Sequence, residues 1–229
     1  MTKQMTGRKC AFILASVIIL IISYASLISC KSDQTTVITD SAAQPAKTML
    51  PLTRISTEDF TGSGNCANCH TGLTDTAGDD VSIGSHWRST MMANAAKDPI
   101  WQAKVASEVS RTPGLKEIIE DKCTTCHMPM AYTQANADGT PALILDDGFL
   151  NPSNPLHELA MDGNSCTLCH QIVDPVLGKY TIDTSTDPPD RLNYGPFTNP
   201  QQMAMRNSSG FTPVFGEQTL ESTLCGTCH

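Results

Sequence analysis

One five-residue phrase, Cys-x-x-Cys-His, occurs four times. It stands as Cys66-Ala67-Asn68-Cys69-His70, Cys123-Thr124-Thr125-Cys126-His127, Cys166-Thr167-Leu168-Cys169-His170 and Cys225-Gly226-Thr227-Cys228-His229. Two residues between the thiols set the span for thioether bonds to the two vinyl groups of a haem, and the next histidine becomes an axial ligand of its iron. Four covalently held haems c are therefore expected, with all twelve of these Cys and His residues binding cofactor. His70, His127, His170 and His229 are the expected iron ligands. A Cys-x-x-Cys pair alone also fits a thioredoxin-like redox pair, half of a zinc site or a disulfide. With 6 His in 229 residues, chance would put His after all four pairs about once in a million.

The remaining cysteines agree. Of the 10 Cys, eight lie in the phrases, and the other two, Cys10 and Cys30, precede them. No thiol remains for a structural disulfide in the body of the chain. Haem attachment of this kind takes place outside the cytoplasm, and the N-terminus reads as an export signal. Lys3, Arg8 and Lys9 precede the uncharged, largely apolar run 11–29, which ends in Leu27-Ile28-Ser29-Cys30, a lipobox-like sequence. The expectation is a lipoprotein signal over 1–29 and lipidation at Cys30. The alternative is an uncleaved transmembrane anchor. Either holds the chain on the outer side of a membrane, periplasmic or at the cell surface, and Lys31 after Cys30 favours the outer membrane.

Residues 30–57 read as a lipidated N-terminus and flexible tether, and 58–229 as one tetrahaem domain. Without 1–29, 12 Lys and Arg face 23 Asp and Glu, a net charge of −11. Such a surface repels nucleic acid and suits a cationic redox partner. Aromatics make up 5% of the chain, thin for a core of this length, so the macrocycles would supply apolar bulk.

The expected fold is mainly α with extensive loops, organised around a haem cluster. Gly62-Ser63-Gly64 reads as a turn before the first phrase. Ser85 caps a helix through Lys97, and Asp98-Pro99 starts another over Ile100 to Arg111, stopped by Thr112-Pro113-Gly114. A short helix from Leu115 to Lys122 feeds the second phrase. Residues 131–156 read as a long surface loop, and His157 to Met161 as one helical turn. Residues 171–186 suggest a short hairpin, and 187–218 little regular structure. No βαβ pattern, phosphate loop or serine-hydrolase elbow is present. First cysteines are separated by 57, 43 and 59 residues, which suits one domain around a fixed cluster better than a solenoid.

Each iron has a second axial position. The two spare histidines, His86 and His157, are candidate distal ligands, and Met91 and Met92 are candidates through sulfur. Met128, Met130 and Met161 are weaker candidates, able to cover a neighbouring haem. Because His229 is the last residue of the sequence, further chain and further ligands are expected beyond it.

Several stretches resemble bacterial multihaem c-type cytochromes. They are Trp87-Arg88-Ser89-Thr90-Met91-Met92 with Asp98-Pro99-Ile100-Trp101, Cys126-His127-Met128-Pro129, Asp162 to Gln171, Tyr194-Gly195-Pro196-Phe197, and Ser222 to His229. The group is related to the tetrahaem electron carriers of ammonia oxidisers and to hydroxylamine oxidoreductase-like proteins. The resemblance spans roughly 60–229 and also implies chain beyond His229. Met92 stands where relatives often place a distal His. The implied function is a membrane-anchored electron carrier between redox proteins. The alternative is an oxidoreductase acting on a small nitrogen or sulfur compound at one open haem, and a third reading is a docking subunit for another redox enzyme.

Overall fold

The computed structural model describes residues 51–228. The signal, Cys10, Cys30, most of the tether and His229 lie outside the described residues. Helices dominate the described part, and two short strands complete it.

The first element forms because two glycines allow it. Gly62 and Gly64 donate their backbone N–H groups to the carbonyls of Ile55 and Thr53, both at 2.8 Å. A Cβ at either glycine would lie 2.5–2.6 Å from the Thr53 carbonyl oxygen. Residues 51–57 are thus tied to the body, and this part of the expected tether is corrected. Helix α1, Ser63–His70, starts where a turn was expected and carries the first phrase. Its first-turn Ser63 gives both N–H (2.8 Å) and Oγ–H (2.6 Å) to the buried carboxylate of Asp162. An anion suits this position, since first-turn N–H groups lack partners inside the helix.

The helix expected from Ser85 through Lys97 is broken in two. α2 spans Ile83–Arg88 and α3 spans Met91–Asn94, with Thr90 capping the second through a bond from the Ala93 N–H. The Thr90 hydroxyl also donates to the Trp87 carbonyl at 2.7 Å. This local side-chain bonding competes with the helix and ends it. The pair docks on 162–165: Trp87 Nε1 donates to the Asn164 carbonyl (2.9 Å) and Asn164 N–H to the Met92 carbonyl (3.0 Å). Gly163, at φ +68°, allows that approach, because a Cβ there would lie 2.6 Å from the Met92 oxygen.

α4, Pro99–Arg111, follows the Asp98-Pro99 signal as expected, with the Asp98 carboxylate accepting from Ile100 N–H at 2.8 Å. A 3₁₀ turn over Pro113–Leu115 leads to α5, Lys116–His127, which carries the whole second phrase on its last turns. α6, Pro129–Ala137, replaces the first part of the expected surface loop. The rest of that stretch is an irregular, partly exposed loop as expected, but it also enters the main core, where Ala142, Ile144 and Phe149 are buried with Met128, Ala131 and Ala135. α7 is His157–Met161, as expected, and α8 is Cys166–Cys169. A second core of Phe60, Met130, Leu159 and Leu168 lies behind α8.

Bridges Ile172↔Ile182 and Val176↔Lys179 make the expected hairpin. Beyond it, β1 (Leu192–Gly195), α9 (Gln202–Ser209) and β2 (Thr212–Phe215) form a small parallel βαβ unit, correcting the expectation of little regular structure. A 3₁₀ turn at Glu217–Leu220 and a second over Ser222–Thr227 carry the fourth phrase. Among the described residues, no helix is long and apolar enough to cross a membrane.

Candidate functional site

In the first three phrases both thiols lie on one helix, on α1, α5 and α8. Residues three apart share a helix face, so each pair presents its two sulfurs together. All eight phrase cysteines are free thiols. The phrases also come together across the chain. The Cys66 and Cys166 thiols are hydrogen-bonded to each other, and so are those of Cys126 and Cys228. Cys169 lies within the electrostatic reach of Cys225 and Cys228. The first phrase thus meets the third, the second meets the fourth, and the third lies near the fourth.

Four of these thiols are raised and one is lowered. The bond with Cys166, then burial, pushes the Cys66 thiol up, while that bond lowers Cys166. The bond with Cys228, then burial, raises Cys126, and burial raises Cys123 with help from Glu120. Burial pushes Cys169 up to about 12.

The histidines carry the clearest signal. His127 places Nδ1 3.1 Å from the Ala95 carbonyl, and His170 places Nδ1 2.5 Å from that of Tyr194. A carbonyl can only accept, so Nδ1 carries a proton in both rings. This is the orientation that metal-binding imidazoles take, with a backbone acceptor fixing the tautomer. The Trp101 ring stacks on His127, with centroids 4.4 Å apart and planes 7° apart. Among the described residues no three His, Cys, Asp or Glu side chains are grouped to chelate a metal. In each of the first three phrases a single imidazole follows a pair of thiols.

Of the distal candidates, His157 shares that orientation: its Nδ1 lies 2.7 Å from the Phe149 carbonyl, and the ring is half-buried. His86 is exposed on α2, Met91 is 72% exposed, and Met92 lies beside it on α3, also exposed. Met128 and Met130 are fully buried, and the Met130 sulfur accepts from the Thr167 hydroxyl at 3.5 Å. Both are held in the core. Met161 is half-buried against the main core.

Three residues of the site were not singled out in sequence as parts of it. Trp101 stacks on a phrase histidine, Asp162 joins α1 to the third phrase, and Tyr194 supplies the His170 acceptor. Each lies within a stretch carrying the cytochrome resemblance, which was the available signal. No protein-family model, curated protein or solved structure matches this chain.

Proposed function

We propose that the protein is a membrane-anchored electron carrier of the multihaem c type. Cys66 and Cys69, Cys123 and Cys126, Cys166 and Cys169, and Cys225 and Cys228 each hold one haem. His70, His127, His170 and His229 serve as iron ligands. The observation that carries this reading is the orientation of two phrase histidines, His127 and His170, each with Nδ1 bound to a backbone carbonyl. When bound, each haem supplies a one-electron iron couple.

The chain itself sets spacing, ligation and exposure. Its attachment points adjoin in the order first, third, fourth, second, so the relay does not follow sequence order. Cys69 and Cys225 are exposed, which suits exchange with soluble or membrane-bound redox proteins at the first and fourth positions. Lipid on Cys30 would keep the domain at the outer side of its membrane.

The thiol contacts favour one rival, in which Cys66–Cys166 and Cys126–Cys228 close as disulfides. That rival leaves four phrase thiols unpaired and gives the four histidines no role. Intact mass of exported protein separates the two. Four added haem masses are expected, and a haem-free polypeptide lighter by the hydrogens of two disulfides would overturn the proposal. Within the same reading, His157→Ala should convert one low-spin haem to a form that binds carbon monoxide when reduced. His86→Ala should have the smaller effect.

A further inference from the structure

Arg191 has the largest of the fully buried side chains, 1% exposed in a chain of net charge −8. Its Nη1 donates to Asp59 Oδ1 at 2.7 Å and lies 3.4 Å from Gln171 Oε1, while Nε donates to the Thr186 carbonyl at 2.9 Å. Gln171 follows His170 directly and donates its Nε2 to the carbonyls of Asp59 (2.9 Å) and Thr167 (2.6 Å). Three residues beyond Arg191, Tyr194 and His170 exchange two bonds. Tyr194 N–H donates to the His170 carbonyl at 2.7 Å, and His170 Nδ1 donates to the Tyr194 carbonyl at 2.5 Å. One guanidinium thus joins the approach to α1, the third phrase and the start of β1.

A buried ion pair is often no more stabilising than apolar residues of the same volume, so its effect is better sought in geometry. We infer that Arg191 is a positioning residue for the third phrase, holding the Tyr194 carbonyl against Nδ1 of His170 through β1. The inference rests on the reading of His170 as an iron ligand. A firm acceptor at Nδ1 makes Nε2 more basic, which favours the oxidised metal and lowers the potential of that one haem. Loosening the frame raises it.

The test is Arg191→Lys in the haem-loaded protein. Lysine keeps the charge but loses the planar fork that reaches several acceptors at once. A potentiometric titration followed by electron paramagnetic resonance should show one of four haems moving upward. A tenfold change in its electron-binding constant is about 59 mV for a one-electron couple. The low-spin signal of that same haem should change, and the other three should not. Arg206→Lys, at the exposed pair with Asp190, should move none. If the lysine variant does not accumulate, the Asp59→Asn/Arg191→Gln double variant keeps hydrogen-bonding amides and should displace the same haem. Four haems with unchanged potentials, four potentials moving together, or both variants failing to fold would each overturn the inference. Fewer than four haems in the unsubstituted protein would instead sink the haem reading.

Discussion

The third and fourth phrases have one motif in two settings. The third sits on α8 between buried residues, with Thr167 donating to the Thr61 carbonyl (2.9 Å) and accepting from Thr61 N–H (3.3 Å). Arg191, Gln171 and Tyr194 close around it. The fourth rides a 3₁₀ turn with Cys225 exposed, and the hairpin reaches it through a bond from Gly178 N–H to the Gly226 carbonyl at 3.3 Å. Its apolar neighbours are open, with Leu177 78% exposed and Leu220 60%. One motif therefore has a fixed interior member and a lightly held surface member. Under the proposed function, the first kind would tune and the second kind would exchange.

The contrast can be broken most strongly at Asp59. Asp59→Leu leaves the buried Arg191 charge with only the exposed Asp187 carboxylate, 3.9 Å away, and should cost about 3–5 kcal/mol in urea unfolding. Asp190→Ala, at the exposed pair with Arg206, should cost about 0–1 kcal/mol. Equal costs would erase the distinction between interior and surface.

Next in size is the packing behind α8. Met130→Ala opens a cavity beside Leu168 and should cost about 2–5 kcal/mol. Leu220→Ala, beside the fourth phrase, should stay within about 0.5 kcal/mol. Thermal melts of the two variants at one protein concentration would show whether the order holds.

A third test sharpens the comparison through pH. In polypeptide made without haem attachment, burial raises the Cys169 thiol from 9.0 to about 12. The folded state then holds a proton that the unfolded state releases first. Stability from this group is full below pH 9 and falls as pH rises toward 12, by about 1.4 kcal/mol per pH unit for one proton. Cys169→Ser should flatten that part of the profile, and so should thioether formation. A profile unchanged by the serine variant would show that Cys169 is not held as described.

Legibility varied with how local the cause was. Asp98-Pro99 announced α4 because cap and first-turn proline act on their own neighbours. His157 to Met161 was also readable, although no side chain caps it. The break between α2 and α3 was not, since Thr90 acts as a cap only once its hydroxyl turns to the preceding turn. The stretch 131–156 looked polar and punctuated, yet Ile144 and Phe149 close the core, a choice made by distant partners. β1 and β2 are four residues each, with Pro213 in the second, and parallel pairing across α9 leaves little alternation to read. The phrases themselves stood out by repetition. Their pairing, first with third and second with fourth, had no signature, because it depends on how unequal spacers fold back. Arg191 was hidden most completely: a lone arginine among Asp and Pro reads as a surface charge.

The two-way bond between His170 and Tyr194 bears on how the molecule is made. A polypeptide threaded outward from its N-terminus delivers the third imidazole 24 residues before the backbone oxygen that aims it. For that interval the ring lacks its acceptor, and under the proposed function the sulfurs of Cys166 and Cys169 would be open to haem attachment. Arrival of β1 then closes the setting, so on that reading a chain halted just short of Tyr194 would hold the third haem with its ligand unsteered.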